Sequence, residues 1–264
     1  MTAVTGPYSQ APNPNNVLLG RGKLYFDRFL PGTTTRTGEQ DLGNCTALEV
    51  EVKPEVKEKY ESMDPASSLY SRGVTRETVT IKITGDEYSP DNLQLATLGS
   101  ITTVAAAGAT IAAEQITPAA ILGRYYPLLN RNITTLTDIK QGSTALVLGT
   151  DYTADLVRGR IYLMPGSATI IPGTPVTADY IFAQYSYTAV ALATQGTIDG
   201  FLRYISNDIK GPNYDGLWWH VSFVPSGGLA FIADDFGNWT MEGECIADPA
   251  DHPTCPIGQL VQTS

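Results

Sequence analysis

The feature that most constrains this chain is the run "TALEVEVKPEVKEKYES" at residues 46–62. Leu48, Val50, Val52, Pro54, Val56 and Tyr60 take even positions. Glu49, Glu51, Lys53, Glu55, Lys57, Lys59 and Glu61 take odd ones, and Glu58 alone breaks the apolar set. A period of two puts the two sets on opposite faces of a strand. A helix starting at Pro54 is the competing reading, because "PEVKEKYES" is rich in helix formers and proline suits a first helical position. The valines make no stripe of period 3.6 with the residues after them, so the strand is preferred. A partner lies in "RGVTRETVTIKITG", residues 72–85. It sets Thr75, Glu77, Val79, Ile81 and Ile83 against Arg76, Thr78, Thr80, Lys82 and Thr84. The connecting "SMDPASSLYS" carries the turn formers Asp64, Pro65 and Ser67. Strands of about fifteen residues reach roughly 50 Å, whereas ordinary strands stop after about 5–6 residues. Such a hairpin overshoots a small domain, and its apolar face and free edges need cover. A second copy of the chain is the simplest source.

The rest of the composition agrees with a β protein. Apolar residues make up 42% of the 264 positions and charged residues 17%, which suits a globular chain. Thr, Gly, Tyr, Val and Pro are plentiful and long helix-period runs are absent. A net charge of -10 makes a poor grip on phosphates, although such a chain can surround nucleic acid without holding it. No apolar run reaches the length of about 18 residues that a spanning helix needs, so no membrane span is expected. The start, "MTAVTGPYSQAPNPNN" (1–16), lacks the basic and apolar regions of a secretory signal and reads as a polar arm. Cys45, Cys245 and Cys255 suggest no disulfide framework; a Cys245–Cys255 bridge stays open, and reduced thiols are the preferred reading. The sequons at Asn44, Asn132 and Asn238 carry little meaning without an export signal.

Several boundaries are legible. A strand is expected over 22–29, its two faces not cleanly segregated. In "SPDNLQLATLGS", Ser89 caps a helix over about 90–98, with Pro90 at its first position and Gly99 at its end. Small neutral runs then appear at 101–120 and 187–197. Between them, short apolar segments alternate with Gly142, Gly149, Gly159, Gly166 and Gly173. That spacing predicts a small β-sandwich inserted over 119–187, its similar flanks serving as stems. The parent domain then occupies 17–118 and 188–248, with strands in "GFLRYIS", "LWWHVSFVPS" and "NWTMEGECIAD". Residues 249–264 read as an extended, Pro-broken tail.

Candidates for chemistry are few. The chain has two histidines, His220 and His252, and none of HExxH, GxSxG, CxxC or GxxxxGK[ST]. "GRGKLY" has Tyr25 where a dinucleotide fingerprint needs its third glycine. Asp248, Asp251, His252 and Cys255 are the best metal candidates, but they mix hard and soft ligands in a tail, and a solvated terminus is the stronger reading. Asp86, Glu87 and Asp91 fit helix-start duty, and Asp234–Asp235 fit a turn. Beside Trp218 and Trp219, His220 reads as a structural strand-face histidine. The aromatic strand allows a sugar platform, with core or interface packing as the default. The expectation is therefore no catalytic residue, no metal and no cofactor. The charged face of 49–61 has a plain alternative of its own, a water-exposed sheet face.

The order of "GRGKLYFDRF", "TGEQDLGN", the charged hairpin, "GDEYSPDNLQLATLG", "LWWHVSFVPS" and "NWTMEGECIAD" resembles the tail tube (major tail) proteins of long-tailed, non-contractile bacteriophages. It covers residues 17–100 and 194–248. The insert is similar to β modules of phage structural proteins and departs from the simplest one-domain tubes. The resemblance implies a tail-tube-type β-sandwich or barrel with a long hairpin, one short helix and an inserted sandwich. It implies a non-enzymatic virion subunit, assembled in the bacterial host cytoplasm into stacked hexameric rings around a DNA channel. Its partners would be other copies, the tape-measure protein and passing DNA in the lumen, and tail terminator and tail-tip proteins at the ends. Glu49, Glu51, Lys53, Glu55, Lys57, Thr78, Thr80 and Lys82 would face an acidic lumen. Asp64, Pro65, Ser68, Leu69 and Tyr70 at the hairpin tip, with Val50 and Val52, would join subunits and rings, helped by the arm and the tail. The insert would lie outside the bore. A tail-tip hub, a capsid-decorating protein or a monomeric sugar-binding sandwich are the other readings.

Overall fold

The computed structural model describes residues 13–63 and 65–263. Most of the polar arm and Asp64 of the hairpin tip lie outside them. The chain is mainly β. In order it forms β1 (Gly22–Arg28), β2 (Gln40–Asp41), β3 (Cys45–Tyr60), β4 (Leu69–Gly85), α1 (Pro90–Ala96), β5 (Ser100–Ala106), β6 (Ala109–Thr117), β7 (Tyr125–Pro127), β8 (Ile133–Gln141) and β9 (Thr144–Ala145). Then come β10 (Tyr152–Asp155), β11 (Arg160–Leu163), β12 (Val176–Phe182), β13 (Tyr185–Ala191), β14 (Ile198–Ser206), β15 (Asn213–Pro225), β16 (Trp239–Cys245) and β17 (Gly258–Thr263). Two compact units divide the chain: Thr102–Ala189 is unit 2, and the flanking segments together are unit 1.

Unit 1 is built on one antiparallel sheet ordered β2-β1-β14-β15-β16-β4-β3, with β17 also on β15. Alternate residues of these strands turn inward. Phe26 of β1, Ile81 and Ile83 of β4, Leu202 of β14, Val221 and Phe223 of β15, and Trp239 and Met241 of β16 are buried in a common core with Leu42. Helix α1 closes that core with Leu95 and Ala96. Its start follows the expected chemistry: Ser89 Oγ accepts from Asn92 N at 3.1 Å, Pro90 opens the helix and Asp91 sits in the first turn. Its end differs from the sequence reading. Leu98, not Gly99, takes the left-handed conformation, at φ 49°. Gly99 is needed for space instead, because a Cβ there would lie 2.4 Å from the Ala191 carbonyl oxygen. In β1, Asp27 is buried because it anchors the following loop. Its carboxylate accepts from Thr37 N, Gly38 N and the Arg36 guanidinium, at 2.9, 2.7 and 2.7 Å.

The C-terminal segment corrects the reading of 249–264 as an extended tail. Gly258–Thr263 is a strand, paired with the Asn213–Trp218 half of β15. The pairing is possible because β16 occupies only the Val221–Pro225 half of the same edge, leaving the first half free for another strand.

Unit 2 contains a four-stranded sheet, β6-β12-β8-β9, and a three-stranded one, β10-β11-β7. Ile116, Ile139, Tyr152, Ile161, Leu163, Val176 and Tyr180, drawn from both, share one core. The unit starts at Thr102, before the residue 119 inferred from composition. The reason is that Ala109–Thr117, within the Ala-rich segment before 119, is a strand of the four-stranded sheet, paired with β12. β5 and β13 pair with each other in a separate two-stranded ribbon.

Candidate functional site

The long hairpin forms, and it is unequally covered. β3 and β4 run side by side from Cys45↔Gly85 out to Tyr60↔Leu69. At the base, Leu48 lies opposite Ile83 and Val50 opposite Ile81. Ile81 and Ile83 are fully buried, and Leu48 packs against the same core. Further out the same face is bare. Val50 is 45% exposed, Val52 60%, Val74 56%, Tyr60 55% and Leu69 49%. On this face Val52 pairs with Val79, Val56 with Val74, and Tyr60 with Leu69, and the apolar pairs are interrupted by Pro54–Glu77 and by the ion pair of Glu58 with Arg72.

The sequence pattern misleads along β4, where it places Thr75 and Glu77 with the isoleucines and gives Val74 no role. Glu77 does stand on the apolar face, opposite Pro54. Thr75 does not hold the alternation: the register shifts between Glu55 and Val56, leaving Thr75 as the extra residue. A β-bulge of this kind flips the parity of the strand beyond it. It brings Val74 opposite Val56 when strict alternation would have put it among the charges. A valine at the wrong parity beside Gly73 is the signal that was available. A second shift, between Lys59 and Tyr60, makes Tyr70 the extra residue and brings Leu69 opposite Tyr60.

The other face gathers the residues expected to line a lumen. Glu49 faces Lys82, Glu51 faces Thr80, Lys53 faces Thr78, Glu55 faces Arg76, and Lys57 faces Gly73. β16 extends this face with Glu242 opposite Lys82 and Glu244 opposite Thr80. The face is therefore mixed rather than acidic. Arg76, which the sequence pattern put on this face but which was not named for the lumen, adds a cation to Lys53, Lys57 and Lys82, and the extra carboxylates come from a distant strand. Lys53 Nζ lies 2.9 Å from Glu51 Oε2. The hydrogen bond to Glu51 and its charge hold the Lys53 ammonium above its ordinary pKa, with a smaller push from Glu242.

At the tip, Pro65 and Ser68 lie in the turn, and Leu69 and Tyr70 open β4. The turn is closed by Glu61 N donating to the Ser68 carbonyl at 2.9 Å, and by Ser68 Oγ donating to Glu61 Oε1 at 2.5 Å. Tyr70 is 71% exposed and Met63 88%. β3 ends the sheet, so among the described residues no strand lies on its outer edge. The opposite end of the sheet comes near without closing it. Gly22–Leu24 of β1, and Asn44 with Cys45–Glu49 of β3, line one cleft of about 1010 Å³.

The alternatives weighed on sequence are placed elsewhere. Trp218 and Trp239 are core residues, and Trp219 is sandwiched against Phe201 and His252, so the three tryptophans make no exposed platform. His252 stacks on Trp219 at 3.7 Å, and Trp219 Nε1 donates to the Cys255 carbonyl at 2.7 Å. The candidate metal residues of the tail thus serve to fold the C-terminal loop onto β15. Among the described residues no three His, Cys, Asp or Glu side chains are grouped to hold a metal. His220 packs on Phe29, with Nε2 3.8 Å from Asp199. Asp86 and Glu87 hold the Asn44 side chain and backbone rather than the helix. All three cysteines are free. Burial pushes the Cys45 and Cys245 thiols up to about 12, aided at Cys45 by Asp41, Asp86 and Glu87. Among the described residues no helix is long and apolar enough to cross a membrane.

A family described as "Protein of unknown function UCP028589" matches residues 17–263, and the chain belongs to that family. No curated protein matches the chain.

Proposed function

We propose that this chain is a structural, self-assembling subunit of a phage tail tube, built from stacked rings of identical copies around a channel. The observation that carries the reading is the set of bare apolar side chains along one face of the outer hairpin, Val50, Val52, Val74, Tyr60 and Leu69, broken only by Glu77 and the Glu58–Arg72 pair. A soluble monomer gains nothing from holding such a row on a two-stranded extension, and an open strand edge beside it invites pairing with another chain. Covering half-exposed side chains of this size is worth about 1 kcal/mol apiece, taking half the usual figure for full burial. Repeated around a closed ring, that is enough to favour association, and ring closure leaves no edge free. The open cleft between β1 and β3 supports the same reading, because a neighbour's strand has backbone to meet there.

The charged face would then look into the bore. Its alternating carboxylates and cations offer DNA no continuous basic track, so phosphates would slide past without the counterion release that makes binding strong. Mixed charge replaces the acidic lumen expected from the net charge alone. The tape-measure protein and DNA are the proposed occupants of the bore, and terminator and tip proteins the proposed caps.

Electron microscopy of the purified chain tests this. Long tubes are the expected result. A dispersed monomer at high concentration would end the proposal, and a finite ring would move it to a tail-tip hub or capsid-decorating protein.

A further inference from the structure

Unit 2 contains a hollow of about 350 Å³ in which Arg131, Arg158 and Arg160 meet Tyr185, Tyr187 and Asn130. That volume lies at the lower end of ordinary small-ligand sites, near about 300 Å³. The floor of the hollow is held from several directions. Leu128 N donates to the Gly159 carbonyl and Leu129 N to Glu114 Oε1, both at 2.8 Å. Asn130 Nδ2 donates to Tyr180 Oη at 3.0 Å, and Tyr185 Oη donates to Asn130 Oδ1 at 3.3 Å. Gly159, at φ +62°, allows the close approach: a Cβ there would lie 2.0 Å from the Asn130 carbonyl oxygen. A loop tied this way is preorganised before any ligand arrives.

The charges in the hollow are not balanced. Asp155 Oδ2 takes both Arg160 Nη2 at 2.9 Å and Arg158 Nη1 at 3.4 Å. Glu114 is occupied by Leu129 N and the Tyr180 hydroxyl. Arg131 has no carboxylate within ion-pair distance among the described residues, and lies over the Tyr187 ring at 4.5 Å. Arg160 Nε is buried without a hydrogen-bond partner. Unsatisfied guanidinium donors favour a planar, bidentate anion. Beside them the Tyr185 and Tyr187 rings lie 6.0 Å apart and nearly parallel, at 18°. That pair offers flat apolar surface next to the cations.

We propose that this hollow binds an anionic saccharide, a sugar ring bearing a carboxylate or phosphate. The arginines take the acidic group, the tyrosine pair takes a face of the ring, and Asn130 borders the sugar hydroxyls. The site belongs wholly to unit 2, so it stands whether or not unit 1 assembles.

The test is calorimetric titration of the full chain with glucuronate, glucose 6-phosphate, glucose, inorganic phosphate and a tetra-aspartate peptide. At least one acidic sugar is expected to bind about tenfold or more tightly than glucose and than inorganic phosphate. Which acidic sugar wins distinguishes a uronate from a phosphorylated source. Arg131→Ala and Arg158→Ala should each weaken that binding about tenfold, the scale of one charge-assisted hydrogen bond. Arg158 is 71% exposed at its side chain, so its loss leaves the fold intact. Arg158→Lys should recover only part of the affinity, and Arg124→Ala, outside the hollow, should change nothing. Equal affinity for glucose, equal affinity for phosphate, preference for the peptide, or an equal effect of Arg124→Ala would each overturn the proposal.

Discussion

The two units solve the same problem, covering the faces of a sheet, in opposite ways. Unit 2 uses shorter strands, from the nine residues of Ala109–Thr117 and of Ile133–Gln141 down to pairs such as Thr144–Ala145. Several of its exposed apolar side chains, among them Ile121, Leu129, Val147 and Ile171, are scattered in the segments between strands. Unit 1 extends a hairpin of 16 and 17 residues past its own core and leaves an ordered apolar row on it. Their charges differ as sharply. In unit 2, Glu114, Asp138, Asp151, Asp155 and Asp179 are matched by Arg124, Arg131, Lys140, Arg158 and Arg160. The whole net charge of -10 therefore resides in unit 1. One unit is closed and neutral; the other is open and acidic. Scattered apolar residues need no partner, but a row along one face does.

The sharpest way to break that contrast is inside the hairpin. Ile81→Asp buries a charge in the unit 1 core and should cost more than about 3 kcal/mol, read as loss of its unfolding transition. Val52→Asp, on the same face but 60% exposed, should leave the monomer within about 0.5 kcal/mol and yet block assembly. Normal tubes from Val52→Asp would mean that the row is not an interface. The next largest effect is excision. Replacing Thr102–Ala189 with a short Gly-Ser linker should leave unit 1 folded, with dispersed amide resonances in an assembly-blocked background. An insoluble product would show the units to be interdependent.

Acid and alkali should then separate the units. Asp155 is held at about 2 by its hydrogen bonds to Arg160 and to Arg158, below its ordinary 3.8. Asp151 and Asp179 are lowered too, chiefly by Ser167 Oγ and by Ala113 N. A carboxylate with a depressed folded-state pKa stabilises above its unfolded value and loses that contribution as pH falls through the folded one. Unit 2 should therefore weaken between about pH 4 and 2. Cys45 and Cys245 in unit 1 have the opposite sign. Their raised pKa stabilises below the ordinary 9.0, and the contribution is lost as pH rises toward about 12. Unit 1 should begin to weaken above about pH 9, and neither thiol should react readily with iodoacetamide at pH 8. Unit-specific unfolding monitored by NMR across the pH range checks both signs. The smallest effect expected is that of Glu51→Ala. It removes an exposed pair with Lys53 and should leave the denaturant midpoint where it was; a clear loss of stability would mark the charged face as structural rather than solvated.

Local pattern was enough for the hairpin, the capped helix and the β class. Residues 49–57 alternate without a break, and Ser89-Pro90-Asp91 states its own cap, because each signal is decided by backbone geometry within a few residues. Where a feature depended on a distant partner, the chain was silent or misleading. Thr75 becomes a bulge only because β3 dictates the register beside it, and Val74 joins the apolar row as a result. Gly258–Thr263 is a strand because half an edge of β15 stands open, a vacancy no residue near 258 announces. The Ala-rich 109–117 is a strand of unit 2 because Val176–Phe182 lies next to it. Arg131, Arg158 and Tyr187 meet only once the strands around them pair. Sequence by itself determined which segments extend and which faces they present; tertiary structure alone decided which faces are covered, since burial is a property of neighbours and not of the strand that carries them.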